Sequence, residues 1–215
     1  LAGREKRVLL ADMDSTVITV ECIDEIAAVA GVGPQVAAIT ERAMRGELDF
    51  EAALAERVAA LEGLPVASLE RVWAERVRLT PGAEAMTAAF RAAGAESALV
   101  SGGFTWFSER VAAAAGFESH RANRLAEADG RLTGATVPPV LGRAAKRERM
   151  EALMAAGGYG AGAVVAVGDG ANDAAMVEAA GLGVAFHAKP ALAEIADARL
   201  AHSDLSAVAA LAGIA

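Results

Sequence analysis

Val8-Leu9-Leu10-Ala11-Asp12-Met13-Asp14-Ser15-Thr16 is a short apolar run that ends abruptly in a polar cluster. Four consecutive apolar residues followed by acids and hydroxyls predict a buried strand with a loop at its carboxyl end. Working outward, residues 22–79 hold no comparable run. Apolar residues there recur at helical spacing over 23–30, 35–44, 50–61 and 69–77, and Gly33-Pro34, Gly46 and Gly63-Leu64-Pro65 punctuate them. That is a block of about four helices set early in the chain.

From Thr80-Pro81-Gly82 the pattern changes. A helix over 83–93 leads to a strand over 97–100, then to Ser101-Gly102-Gly103 and a helix over 105–115. Residues 123–137 read as a hairpin that turns at Asp129-Gly130. A helix follows over 143–156. A strand over 163–167 then runs into Gly168-Asp169-Gly170-Ala171-Asn172-Asp173 and a helix over 174–180, with short strands at 183–186 and 199–201. Alternating strands and helices predict right-handed crossovers and a parallel sheet with helices on both faces. Ligands in such sheets bind at the carboxyl ends of the strands, near a switch in strand order. Three polar clusters fall at such ends: 12–16, 101–103 and 168–173.

Composition narrows the function classes. The chain has 215 residues, 54% hydrophobic and 22% charged, so it folds around a sizeable core. No apolar run approaches the roughly 18 residues that span a bilayer. A net charge of −8 with one Tyr and two Trp is a poor match to nucleic-acid binding. Cys22 is the only cysteine, so no disulfide can form within the chain. Residues 1–10 carry charge and then an apolar run without a cleavage pattern, and a cytoplasmic location is the expectation. Only Lys6, Lys146 and Lys189 are lysines among the basic residues, which singles out those positions.

Each polar cluster suits one part of an anion chemistry. Asp12 and Asp14, two apart in a loop, offer a nucleophile, a proton carrier and hard oxygen ligands of the kind Mg²⁺ takes. Ser101, Gly102 and Gly103 offer a hydroxyl and unhindered amides to an anion. Lys146 opens a helix. Asp169, Asn172 and Asp173 supply a second acidic wall. Singly, each is also an ordinary way to end a strand or cap a turn.

In this order, and in this structural setting, the four clusters resemble the motifs of the haloacid dehalogenase-like phosphohydrolase superfamily. Val20-Glu21-Cys22-Ile23-Asp24-Glu25, residues 40–50 and Ser101-Gly102-Gly103-Phe104 are similar to the members that act on O-phosphoserine. The resemblance runs from about Leu9 to the end. Ala11 departs from it, since many relatives carry a large residue before the first aspartate.

The resemblance implies an α/β fold: a Rossmann-like parallel sheet core (1–18 and 80–215) with helices on both faces and an inserted four-helix cap (19–79). It implies hydrolysis of O-phosphoserine, the last step of serine biosynthesis, with Mg²⁺ as cofactor. Asp12 would be the nucleophile and Asp14 the acid and base. Mg²⁺ would be held by the Asp12 side chain, the Asp14 carbonyl and Asp169. Lys146, Ser101 and Gly102 would hold the phosphoryl oxygens. Asn172 would bind substrate nearby, with Asp173 and Gly103 in support. In the cap, Glu21 would meet the substrate ammonium and Arg57 its carboxylate, while Met44 and Phe50 would form an apolar lid. His120, His187 and His202 have no ligand spacing and are expected to be structural. Two other readings stay open: a phosphatase or phosphotransferase for a different ester, and a receiver module that accepts phosphate but has no substrate of its own. A dinucleotide site is disfavoured, because no Gly-x-Gly-x-x-Gly follows the first strand.

Overall fold

The computed structural model describes residues 5–142 and 144–214. The helix start expected at residue 143 and the outermost ends of the expected core lie outside the described residues.

Seven strands form one sheet: β1 (Val8–Ala11), β2 (Glu96–Phe104), β3 (Ser119–Ala128), β4 (Arg131–Val137), β5 (Val164–Gly168), β6 (Leu182–Phe186) and β7 (Ala198–Leu200). Their spatial order is β4-β3-β2-β1-β5-β6-β7, parallel throughout except for the β3–β4 hairpin. The first strand thus lies centrally, paired to β2 on one side and β5 on the other. The strand order reverses there, so the carboxyl end of β1 is the switch point.

Alternation along β1 explains its unbroken apolar run. Leu9 and Ala11 face one core with Leu99, Val165, Phe90 and Phe107, where α5 (Ala83–Ala92), α6 (Thr105–Ala115) and α10 (Ala207–Leu211) pack. Val8 and Leu10 face the other with Ala98, Val164, Met150 and Met176, under α7 (Ala145–Gly157), α8 (Ala174–Ala179) and α9 (Pro190–Ala193). A strand with helices on both faces has no solvent side, so it carries no polar alternation.

The insert consists of α1 (Cys22–Ala30), α2 (Gly33–Met44), α3 (Phe50–Ala59) and α4 (Ala67–Glu75). At its neck the two crossing segments pair. The Thr80 amide donates to the Val17 carbonyl at 2.9 Å, and the Thr19 amide to the Arg78 carbonyl at 3.1 Å. At its far end the α3–α4 loop docks on the hairpin. Gly63 N–H reaches Leu132 O at 2.8 Å, Leu132 N–H reaches Leu64 O at 2.9 Å, and Val66 N–H reaches Gly130 O at 2.9 Å. Between these ends Ile26, Val36, Leu54, Val58, Leu69 and Val72 are buried in the same apolar cluster as Leu9 and Phe90.

Three expectations need correction. The strand expected over 97–100 does not stop before Ser101-Gly102-Gly103. It runs on as β2 to Phe104, with a register slip against β3 between Val100 and Phe104. β3 begins at Ser119 rather than 123, and its first residues pair in parallel with β2. Polar Ser119, His120 and Arg121 gave no apolar signal, because main-chain bonds rather than side-chain burial hold them in the sheet. The short helices α9 and α10 were not expected. The hairpin turn is as read: Asp129 (φ 51°) and Gly130 (φ 72°) both have positive φ, which a two-residue turn matched to strand twist requires. No helix among the described residues is long and apolar enough to cross a membrane.

Candidate active site

The site gathers at the carboxyl ends of β2, β1 and β5, where the switch in strand order opens a crevice. Just past β1 the chain makes a wide turn over Met13–Val17. Asp14 is extended (ψ 136°) and Ser15 left-handed (φ 55°). This turn sends the carboxylates of Asp12 and Asp14 into different surroundings.

Asp12 is 3% exposed. Its Oδ2 meets Lys146 Nζ at 2.7 Å, its Oδ1 accepts the Met13 amide at 2.7 Å, and Asn172 Nδ2 donates to Oδ2 at 3.4 Å. Lys146 also donates to Asp173 Oδ1. Burial works against the Lys146 ammonium, yet the Asp12 and Asp173 carboxylates outweigh it and raise its pKa. Asp12 is itself pushed well up, by burial first and by Asp173 next, against the pull of Lys146.

Asp14 makes a different set of bonds. Its Oδ1 accepts the Cys22 amide at the start of α1 at 2.8 Å, and its Oδ2 accepts the Ser101 hydroxyl at 3.0 Å. Burial, and then the charge of Glu21, push Asp14 up to about 6 despite these bonds. Ser101 Oγ accepts the Gly103 amide at 2.8 Å, which turns its own proton toward Asp14. A side chain on Gly103 would sit 2.6 Å from Asp14 Oδ2, so glycine is what permits this approach.

Asp169 follows β5 and is also pushed up to about 6, by burial and then by Asp173. Its contacts are long: Thr16 Oγ1 at 3.5 Å and Lys189 Nζ at 3.7 Å. Asp173 is fully engaged, one oxygen on Lys146 and the other on the amides of Asp169 (3.1 Å) and Gly170 (3.0 Å). One oxygen each of Asp12, Asp169 and Asp173 lie within 4.8 Å of one another. Three carboxylates against one buried ammonium leave excess negative charge, which suits a divalent cation. Asp169, the least satisfied of the three, is the best placed to ligate it.

The insert supplies the opposite wall. The Phe50 ring lies over Gly102, and a side chain at Gly102 would come within 2.9 Å of its Cζ. Phe50, Ser101, Gly102, Lys146 and Asn172 line one narrow cleft. Glu21 precedes α1 and accepts the Ser15 hydroxyl at 2.7 Å. Arg57, half-buried near the end of α3, donates Nε to the Ala53 carbonyl at 3.2 Å and has no ion-pair partner among the described residues. Burial lowers its pKa, against the charges of Asp24, Glu21 and Asp14.

The fold therefore gathers Asp12, Asp14, Ser101, Gly102, Gly103, Lys146, Asp169, Asn172, Asp173 and Phe50. Met44 is not brought in; it is 80% exposed at the end of α2. Cys22 is buried, and burial, then Asp14, keep it a neutral thiol. His120 bonds Ser108 at 2.9 Å and His187 approaches the Ser203 carbonyl at 3.3 Å, so neither touches the acidic cluster. Sequence reading placed Ser15 and Thr16 in the first polar cluster without a role, and missed Asn123. A lone hydroxyl or amide carries no pattern. Lys189 was marked only by the scarcity of lysine.

A family model described as haloacid dehalogenase-like hydrolase matches residues 9–178. A phosphoserine phosphatase from Archaeoglobus fulgidus is 44% identical over 209 residues, 97% of this chain and 60% of that protein. One from Idiomarina loihiensis is 47% identical over 190 residues, 88% of this chain and 86% of that protein. A solved structure of a phospho-aspartyl intermediate analogue of phosphoserine phosphatase superposes with a TM-score of 0.88 at 40% identity, covering 96% of this chain and 99% of the other.

Proposed function

This chain belongs to the haloacid dehalogenase-like hydrolase family, and from that premise we propose that it hydrolyses O-phosphoserine to serine and phosphate through an aspartyl phosphate on Asp12. The observation that carries the reading is the pairing of two differently tuned carboxylates in one crevice. Asp12 is held by Lys146 at 2.7 Å, and Asp14 is held by Ser101 at 3.0 Å. We divide the chain accordingly into a catalytic core (1–18 and 80–215) and a cap (19–79).

Asp12 attacks phosphorus and forms an acyl phosphate as the bond to the serine oxygen breaks. Asp14 gives its proton to that oxygen. It then takes a proton from the water that attacks the acyl phosphate, and Asp12 is released with inorganic phosphate. A pKa near 6 suits a group that must give and then take a proton. Lys146 and the Gly102 amide would face the phosphoryl oxygens and offset their charge as it shifts, while the one Ser101 proton, given to Asp14, orients the acid–base group beside them. The residues fit Mg²⁺: Asp12, Asp169 and the Asp14 main-chain carbonyl would hold it, and it would supply the charge that lets an anionic ester approach a carboxylate. Asp173 fixes Lys146 and Asn172 stands beside Asp12.

The cap would read the amino-acid head, Glu21 through the ammonium and Arg57 through the carboxylate. A planar guanidinium with no ion-pair partner among the described residues suits bidentate capture of a carboxylate. Phe50 would exclude water from the acyl phosphate. Met44 would join it only if the end of α2 moves. Arg57→Ala separates these roles. Its kcat/KM for O-phosphoserine should fall by about 100-fold, as expected for losing a charged bidentate contact, while phosphoethanolamine changes little. Equal losses on both esters would remove Arg57 from carboxylate recognition.

A further inference from the structure

We infer that Asn123 is a positioning residue for the reaction proposed above: it fixes the Gly102–Gly103 peptide and, through it, the direction of the Ser101 hydroxyl. The inference rests on that reading of the reaction, but the geometry behind it does not.

The register slip between β2 and β3 interrupts their ladder over residues 101–103. A slipped ladder leaves main-chain groups without strand partners, and buried ones must find them elsewhere. Asn123 stands on β3 where pairing resumes, opposite Phe104, and is 1% exposed. Its Nδ2 donates to the Gly102 carbonyl at 2.9 Å and, more weakly, to the Leu141 carbonyl at 3.4 Å. Its Oδ1 accepts the Leu141 amide at 2.7 Å. The amide orientation is fixed by chemistry, since only its oxygen can accept from an N–H and only its nitrogen can donate to a carbonyl.

The bond to Gly102 O continues into the site. Gly102 O and Gly103 N–H belong to one planar peptide. Held at its oxygen by Asn123, that peptide directs its N–H to Ser101 Oγ at 2.8 Å. With a lone pair of Ser101 so engaged, its proton goes to Asp14 Oδ2 at 3.0 Å. The far end of the chain ties in Leu141, which lines the same cleft as Gly102 and Lys146. One buried side chain thus sets two walls of the phosphoryl cradle and the partner of the acid–base group, without touching substrate.

Asn123→Asp tests this with the shape of the side chain unchanged. The aspartate still accepts from Leu141 and, assayed beside wild type at a pH alkaline enough to ionise a buried carboxyl, has no donor for Gly102. Asn123→Ala removes both bonds and serves as the cruder comparison. Two readouts are taken on folded protein, well below each variant's melting temperature. The first is steady-state hydrolysis of O-phosphoserine. In Asn123→Asp, kcat should fall about 30- to 100-fold, the scale of a small misplacement of a transition-state donor, with KM within about threefold of wild type. The second is amide hydrogen exchange. Gly103 should exchange at least about tenfold faster in the variant while Leu99 and Val100 on the same strand stay protected. A kcat within threefold of wild type, a loss confined to KM, or unchanged exchange at Gly103 would each overturn the inference. If the wild-type protein hydrolyses no phosphomonoester, the proposed reaction fails. The exchange comparison then still decides whether Asn123 holds the peptide.

Discussion

At the scale of single residues, the costliest feature is the burial of ionisable groups. Asp14 is 8% exposed, and its carboxyl is pushed up to about 6 from an ordinary value of 3.8. The folded state therefore binds this proton more tightly than the unfolded chain does. Stability from the group is present below the unfolded value of about 4, declines as pH rises, and is gone above about 6. This rise corresponds to about 3 kcal/mol, an upper figure for a group that also makes two hydrogen bonds. Asp14→Asn imitates the protonated form, so in metal-free buffer it should gain about 2 kcal/mol of unfolding free energy at pH 8 and almost nothing at pH 4. Urea melts at the two pH values check this. A gain that is absent at pH 8, or equal at both, would mean that the buried charge is not what Asp14 costs the fold. The same substitution should abolish turnover.

At the scale of elements, the placement of Phe50 depends on how α3 begins. Asp49 accepts the Ala52 amide at 2.7 Å and caps the helix whose first residue is Phe50. Asp49→Ala should cost about 1 kcal/mol and lower the melting temperature by about 2–4 °C, as measured by thermal melts. An unchanged melting temperature would mean the cap contributes nothing. This cap is readable directly as Asp followed by an apolar helical repeat. The elements that sequence reading placed are those whose side chains carry the instruction: the apolar 8–11 run, the Asp129-Gly130 turn, and the periodic helices of the insert. The elements it mislaid are held by other means. The first residues of β3 are polar and held by main-chain pairing. The 101–103 segment reads as the end of a strand because its apolar run stops at Val100 and two glycines follow, yet β2 continues through it. Among the site residues, the acids and Lys146 announced themselves by type and spacing. Asn123 did not, because one amide on a hairpin strand looks like any other until the register slip beside it is seen.

At the scale of the molecule, the insert and sheet share one apolar cluster, and the insert is tied at its neck and at the β3–β4 hairpin. The crevice between them holds a buried acid cluster on one wall and Phe50 on the other, with Arg57 and Glu21 carried by the insert. The proposed reaction assigns chemistry to the sheet and substrate choice to the insert. It joins the two, as Asp12 chemistry supported by a divalent ion and acting on an amino-acid phosphomonoester. Phosphate release from O-phospho-L-serine, measured with Mg²⁺ and with a chelator beside a panel of other phosphomonoesters, tests it most directly. Release should require Mg²⁺ and favour O-phospho-L-serine over every other ester in the panel. No release from any ester, or release that persists unchanged in chelator, would contradict it.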